Sequence, residues 1–360
     1  MASAHDLTNE QGLRDYLGMY RSGIAKIQLL SGGTANYVYR VTRHDGSASI
    51  FKHAAPYLHI NKTFAFDPTR MDYEAQILET LSSSAAHFSA SLKSSNVHAV
   101  RLMSYEKEAK LLEIEDGGSR NLKDAYIDAT LDVPRIGEEL AKWLAILHMC
   151  SQNISLALPG QTTNNNPIAV NIYRHSYQNL HTALSQFGHD PQLAHRIDEE
   201  FGGLLEMEDE CVCHGDFWPG NVLVRPKEDE SLLTIVDWEL VRRGTSATDV
   251  GQFAAEAFLL DRFRGGRGLL SAFLGSYITT LTDTTLPGKT WLCRMVVHWA
   301  VHVAYWPTRV EWSDREGTKE LVNIGVAVLE NIMSDDWERV LESPLFEGVK
   351  DVYADILAEP

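Results

Sequence analysis

Hydrophobic positions recur with a period of two through the first third of the chain and with a period near 3.6 through most of the rest. From Lys26 to Ala54 the text alternates between apolar runs and turns: KIQLL, SGGTAN, YVYRVT, HDGS and SIFKHA. Tyr37, Tyr39 and Val41 share one face, so antiparallel strands joined by short turns are expected here. A helix is expected from Pro68, because Met71, Ala75, Leu78 and Leu81 then fall on one face. Two further apolar runs, VHAVRLMSY and KLLEIE, complete a small sheet that ends at the turn Asp116-Gly117-Gly118. Beyond it, Ile136, Leu140, Leu144 and Leu147 line one face of a helix in PRIGEELAKWLAILH. QTTNNNP at 161–167 reads as a surface loop. The remainder is mainly helical, apart from a strand-loop-strand segment between Cys211 and Val236. The expected class is α+β: a small antiparallel-sheet lobe with one helix, residues 1–116, and a larger, mainly helical lobe, residues 117–360.

Composition narrows the partners. The 360 residues include 49 acidic and 32 basic side chains, a net charge of −17. Neutralising a nucleic-acid backbone requires a dense Lys/Arg surface, so neither nucleic acid nor an anionic membrane is an expected partner. Four cysteines, Cys150, Cys211, Cys213 and Cys293, are too few for a disulfide framework, and the opening MASAHDLTNE lacks the basic-then-apolar pattern of a signal peptide. No stretch approaches the roughly 18 continuous apolar residues of a membrane span. A cytoplasmic location with free thiols is the expectation, and the sequons at Asn61 and Asn153 then go unused.

The chemistry concentrates in CVCHGDFWPGNVLV, starting at Cys211, and in LTIVDWEL, which ends at Leu240. Two apolar strands flank a loop that presents Asp216 and Asn221, and the second strand delivers Asp237. Phosphoryl transfer needs such a set: a carboxylate to orient and deprotonate an acceptor hydroxyl, and oxygen ligands for magnesium on the transferring phosphates. Singly, Asp and Asn are ordinary turn formers. His-x-Asp-x-x-x-x-Asn followed by an apolar strand ending in Asp is a much more constrained spacing. Gly32 and Gly33 between two strands would let backbone amides approach phosphate oxygens, although Gly-Gly alone also makes a plain hairpin. Lys52 in SIFKHA is costly in a central strand without a counter-charge, and harmless on an edge where it can snorkel.

Together these segments resemble the aminoglycoside phosphotransferase and choline kinase group of small-molecule kinases, which have a bilobal protein-kinase-like fold. His214-Gly-Asp216-Phe-Trp-Pro-Gly-Asn221 resembles that group's catalytic loop, and Ile-Val-Asp237-Trp-Glu239 its metal-binding strand. Leu30-Ser-Gly-Gly-Thr-Ala-Asn36 resembles the nucleotide-covering loop, Phe51-Lys52-His53 the strand lysine, and Tyr73-Glu74-Ala-Gln76 the helix glutamate paired with it. Leu111-Leu-Glu-Ile-Glu115-Asp116 resembles the interlobe hinge. The wording is nearest to the methylthioribose kinases and the fungal hydroxytryptamine kinases. The resemblance implies Asp216 as catalytic base, Asn221 and Asp237 as magnesium ligands, and Lys52, oriented by Glu74, as the phosphate-binding cation. It also implies that Gly32, Gly33 and Asn36 cover the nucleotide and that the Glu115 backbone carbonyl meets adenine. Glu239 stays open between a further metal ligand, a contact for a cationic acceptor and a plain charge. The glycine loop is poor in glycine and Asp-Phe-Gly is absent, which disfavours a protein substrate.

The expected function is therefore transfer of the γ-phosphoryl group of ATP, with Mg2+, to a hydroxyl of a small metabolite. Trp238, Trp306 and Trp312 are candidate acceptor contacts, since aromatic walls beside carboxylates suit an amine-bearing or heteroaromatic molecule, and Arg242, which closely follows Asp237 in DWELVR, is a candidate contact for phosphate or an acidic acceptor. Arg242 serves equally as a structural residue. Asp249 is expected to cap a helix and His214 to brace the catalytic loop. His298 and His302 are expected to be partly buried, and Cys211 and Cys213 to pack in the core. The rival is a nucleotide-binding pseudokinase or scaffold without turnover; the complete set Lys52, Glu74, Asp216, Asn221 and Asp237 argues against it.

Overall fold

The computed structural model describes residues 5–19, 23–31, 33–83, 95–227, 230–281 and 287–358. The fold is a mixed α+β, protein-kinase-like one, with an antiparallel sheet lobe and a larger helical lobe. Helix α1 (Glu10–Gly18), which the hydrophobic pattern did not announce, is N-capped by the Asn9 side chain and buries only Leu13 and Leu17. β1 (Ile24–Leu29), β2 (Tyr37–Arg43) and β3 (Ala48–His53) follow as expected. A small hairpin, β4 (Tyr57–Leu58) and β5 (Asn61–Ala65), precedes α2 (Arg70–Ser83), which begins two residues after Pro68. β6 (Val97–Ala99), β7 (Leu102–Glu106) and β8 (Leu111–Glu115) complete the first part of the chain.

The main sheet has the order β1-β2-β3-β8-β7. Lys52 sits opposite Val38 on one side and Leu112 on the other, so it belongs to a central strand and must meet a counter-charge. VHAVRLMSY does not enter this sheet as one strand. Leu102–Glu106 forms its edge, whereas Val97–Ala99 runs parallel to the strand Glu230–Ile235 in a second sheet, where Val100 N donates to Ile235 O at 2.9 Å. Antiparallel pairing at one end and parallel pairing at the other require the chain to turn near Arg101.

The helical part contains α3 (Leu122–Ala125), α4 (Val133–Cys150), α5 (Pro167–Gln186) and α6 (Pro191–Ile197). The strands β9 (Cys211–Cys213), β10 (Val222–Lys227), β11 (Glu230–Ile235) and β12 (Arg242–Gly244) carry the chemistry-bearing segment. Then come α7 (Ser246–Arg264), α8 (Leu269–Leu281), α9 (Lys289–Tyr305), α10 (Arg315–Met333), α11 (Trp337–Leu341) and α12 (Lys350–Ala358). All four apolar residues of the expected α4 face are buried. Met71, Tyr73, Ile77 and Leu78 of α2 join the same continuous core as α4 and α7, while α1 and the outer face of the main sheet share a smaller one. Burial of α2 in the large core ties the sheet to the helical lobe.

Only the first half of QTTNNNP is an exposed surface loop. Asn165 accepts from Arg243 N at 2.8 Å, and the fully buried Asn166 caps α5 while donating to Glu239 O and Val241 O. Buried peptide groups need partners, and these two side chains supply them. Among the described residues no helix is long and apolar enough to cross a membrane.

Candidate active site

The catalytic-loop segment is held from beneath. β9 leads into it, β12 pairs with β9 through Arg242 opposite Cys213, and the β10-β11 hairpin returns the chain to Asp237. Gly215 has φ of +77°, and a Cβ there would lie 1.8 Å from Leu240 O, so the loop can close on its neighbour only with glycine. Asp249 does not cap its own helix as expected. Buried in the first turn of α7, its carboxylate accepts from His214 N at 2.7 Å and Gly215 N at 3.1 Å, because those loop amides have no strand partner. The His214 ring braces the loop: Nε2 lies 3.0 Å from Val236 O, and Nδ1 accepts from Asp216 N at 3.2 Å.

Asp216 is thereby presented with both carboxylate oxygens engaged. Oδ1 accepts from Gln252 Nε2 at 2.7 Å and Oδ2 from Asn221 Nδ2 at 2.9 Å. Burial and then the nearby Asp237 charge push the Asp216 carboxyl up to about 7, against the two amide hydrogen bonds. That is the range in which a carboxylate works as a base at neutral pH. Gln252 was not singled out in the sequence; it lies on α7 one turn beyond Asp249, a spacing that only the placement of α7 makes meaningful.

A second cluster faces it. Lys52 Nζ donates to Glu74 Oε2 at 2.7 Å and to Asp237 Oδ1, and lies 3.8 Å from Glu239 Oε2. Arg70, fully buried and unforeseen from the sequence, donates through Nε to Glu239 at 3.1 Å and through Nη2 to Asn36 at 2.9 Å. Asn36 Nδ2 completes the ring by donating to the same Glu239 oxygen at 2.6 Å. Glu74 also accepts from Trp238 N at 3.3 Å. Asp237 adopts the left-handed conformation, φ +68° and ψ 60°, which turns its carboxylate out of the strand line. Its side chain is 38% accessible, against 6% for Lys52 and none for Glu74, so Asp237 is the face that the cluster offers to a ligand.

Charge in this space is unbalanced. Among the described residues, Glu74, Asp216, Asp237 and Glu239 face only Lys52 and Arg70, an excess of two negative charges when all are ionised. Burial pushes Glu74 up to about 7 even though Lys52 opposes it. Asp237 goes the other way, because Lys52 outweighs its burial, and the three carboxylates outweigh burial in raising Lys52. Ligand oxygens of Glu74, Asp237 and Glu239 lie within 4.8 Å of one another. Hard oxygen donors with an excess of two charges fit a hard dication such as Mg2+.

The remaining expected residues divide. Gly32 lies outside the described residues. Gly33 is exposed, and a Cβ there would meet nothing nearer than 3.8 Å, so its backbone does not itself require glycine. Glu115 ends β8; burial raises its carboxyl, but hydrogen bonds from His98 and Arg101 outweigh that and hold it down at about 2. Trp238 and Arg242 do not reach an acceptor, both being fully buried. Trp238 packs edge-on to Trp143, and Arg242 donates to Thr248 over the Tyr173 ring. Their strand and turn positions point inward because the outward positions are taken by Asp237 and the loop. Trp312 is linked to Trp218 of the loop through Lys123, whose Nζ lies 4.6 Å from the Trp312 ring centre and 5.1 Å from that of Trp218. Trp306 stands beside His302, whose Nε2 is 2.8 Å from Glu256, one turn beyond Gln252 on α7.

Fold and site together define a phosphotransferase that acts on an alcohol group. Residues 26–284 match the phosphotransferase enzyme family, and the chain belongs to that family. It is 24% identical to a 4-hydroxytryptamine kinase of Psilocybe cyanescens, over 92% of this chain and 95% of that protein. A 4-hydroxytryptamine kinase of Psilocybe cubensis is likewise 24% identical, over 96% and 98%. Among solved structures, the fold is similar to that of amicoumacin kinase in complex with AMP-PNP and Ca2+, with a TM-score of 0.52 and 11% identity over 91% of this chain and 94% of that one. A GDP complex of an aminoglycoside 2'-phosphotransferase matches with a TM-score of 0.52 and 13% identity over 91% and 99%.

Proposed function

We propose that the protein transfers the γ-phosphoryl group of ATP to the hydroxyl of a small, amine-bearing aromatic molecule. The observation that carries this reading is Asp216, bracketed by Gln252 and Asn221 with its carboxyl raised to about 7, next to a Lys52-Glu74-Asp237 cluster. Asp216 would take the acceptor's proton late in an in-line displacement, while Asn221 fixes the carboxylate that receives it. Lys52, oriented by Glu74, would hold the phosphates, the Gly32-Gly33 loop and Asn36 would cover them, and the Glu115 carbonyl would meet the adenine.

Two structural neighbours are nucleotide complexes, which supports the use of a nucleotide by this fold. Asn221 and Asp237, with Glu239 and Glu74 behind them, would hold Mg2+. When bound, the metal neutralises charge on the transferring and leaving oxygens. Glu239 serves the site chiefly by fixing Asn36 and Arg70. On the acceptor side, the Trp218 and Trp312 rings already hold one ammonium, that of Lys123, and Glu256 supplies a carboxylate; both favour a cationic acceptor. The names of the two Psilocybe relatives make a hydroxytryptamine the first compound to test. A nucleotide lobe up to Asp116, an acceptor lobe beyond it and a cytoplasmic setting belong to the same reading. All four thiols are free, which suits that setting.

The test is acceptor-dependent ADP release with Mg-ATP across hydroxylated arylalkylamines, for wild type and Asp216→Ala. The proposal requires turnover in the first and loss of about 10²-fold or more in the second. Tight Mg-ATP binding with no acceptor-dependent turnover in a metabolite extract would establish the pseudokinase instead.

A further inference from the structure

Beneath the catalytic loop, on the side away from the cleft, three metal-ligating side chains meet in the core. Cys211 and Cys213 occupy alternate positions of β9 and so point to the same face of the strand. His148, in the last turn of α4, reaches that face. All three are buried, and their ligand atoms lie within 4.8 Å of one another. The pattern Cys-x-Cys by itself reads as core packing. A buried imidazole brought to the same point changes that reading, because one nitrogen and two sulfur donors then converge within 4.8 Å of one another.

We propose that His148, Cys211 and Cys213 form a binding site for a divalent d10 cation of the zinc class. Bonds of about 2.3 Å to sulfur and about 2.0 Å to nitrogen set ligand separations of about 3.3–3.8 Å in a tetrahedral site, so shifts of about an ångström close it. The imidazole is already oriented for this. Nδ1 lies 2.9 Å from the Tyr277 hydroxyl and Nε2 3.3 Å from Asp249 Oδ2, so a metal taking Nε2 replaces the Asp249 contact while Tyr277 fixes the ring, in the manner of outer partners around metal-bound histidines. Each sulfur now faces a backbone carbonyl, Cys211 that of Gly244 at 3.7 Å and Cys213 that of Thr245 at 3.3 Å. On binding, both S–H bonds break and two protons leave, the imidazole proton moves from Nε2, where it faces Asp249, to Nδ1, where it faces the Tyr277 hydroxyl, and Asp249 keeps the His214 and Gly215 amides.

Charge selects the metal. Two thiolates cancel a dication, and the neighbouring Asp249 keeps the buried Arg242 as its counter-charge, so nothing unpaired is left in the core. A monovalent soft ion such as Cu+ would leave one negative charge uncompensated. Asp249 lies 3.3 Å from His148 Nε2 and also holds the amides of His214 and Gly215, so the cation would stand one side chain away from the anchor of the catalytic loop.

The probe is Co2+ added to reduced, chelator-treated full-length protein, followed by displacement with Zn2+. One equivalent should bind with a thiolate-to-metal charge-transfer band in the near ultraviolet, and Zn2+ should remove the band. Cobalt on the oxygen ligands of the catalytic cleft gives no such band. The band should persist in the Cys150→Ser/Cys293→Ser variant, whose substitutions lie outside the cluster, and disappear in Cys211→Ser and in Cys213→Ser. Should either of these fail to fold by circular dichroism, wild type and the double variant decide the matter between them. The inference is overturned if reduced wild type shows no band, if the band is lost in the double variant, or if Cu+ binds where Zn2+ and Co2+ do not.

Discussion

Arg70 is the most informative residue to change, because it is the one fully buried cation beside the Lys52 cluster and bears no role in the resemblance that the sequence suggests. Its guanidinium donates to Glu239, Asn36 and three backbone carbonyls, those of Phe66, Asp67 and Ala55, at 2.9–3.3 Å. Arg70→Met keeps much of the stem but leaves Glu239 facing Lys52 at 3.8 Å and Asn36 at 2.6 Å without its principal counter-charge. Breaking a buried pair in this way costs about 3–5 kcal/mol. Unfolding entropy of about 2.1 cal/mol/K per residue gives about 0.76 kcal/mol/K for 360 residues, so the melting temperature should fall by about 4–7 °C. Differential scanning calorimetry of the nucleotide-free protein reads this directly. Arg70→Lys, which keeps the charge but not the planar fork, should recover less than half of the loss. A fall below 1 °C for Arg70→Met would refute the reasoning, since it would mean that Glu239 and Asn36 find other partners at no cost.

Gly215→Ala should reduce kcat by about 10²-fold, because the clash with Leu240 O displaces the loop by about an ångström; a steady-state effect confined to KM would contradict this. Gln252→Leu removes a hydrogen bond that holds the Asp216 carboxyl down, so the acid limb of the kcat/KM profile should move to higher pH and cost more at pH 6.5 than at pH 9. Asp216 and Glu74 are raised from 3.8 and 4.5 to about 7, so the folded chain holds these protons more tightly than the unfolded one. Stability from them is present below about pH 4 and is lost as pH rises through about 7. In EDTA, the melting temperature of wild type relative to Asp216→Asn should therefore fall from pH 5 to pH 7, and saturating Mg2+ should flatten the difference; a rise over that interval would count against the charge excess.

The segments most legible in the sequence are those whose period or spacing is local. Strands β2 and β3, the buried face of α4 and the Asp216-Asn221-Asp237 spacing could all be read because each is set within a short run of residues. Lys52 and Glu74 were legible only through a resemblance, and nothing in SIFKHA distinguishes a central from an edge lysine until its strand neighbours are known. Arg70, Gln252 and Asp249 belong to another kind. Each acts across a long stretch of chain, 169 residues between Arg70 and Glu239 and 36 between Gln252 and Asp216, and each looks like an ordinary helix-start or helix-interior polar residue. Trp238 and Arg242 went astray for the converse reason. Both lie just after Asp237 in sequence, but the left-handed turn at Asp237 sends the following side chains into the core.

That turn also bears on how the site waits for its ligands. An Asp in the left-handed region carries a backbone cost of about 1–2 kcal/mol, which persists only where surrounding contacts hold it. Here the holding contact is Lys52, which donates to Asp237 and Glu74 at once. On the proposed reading, nucleotide binding is an exchange and not a simple addition. Lys52 would turn to phosphate oxygens and Asp237 to the metal, each ligand replacing the partner that the resting protein supplies from within. Neither ligand alone completes this exchange. A nucleotide without metal removes the lysine from carboxylates already in excess, and a metal without nucleotide competes with a buried ammonium. On this reading the acidic excess of the cleft would make one polyanion welcome at a single place, provided that it arrives with its dication.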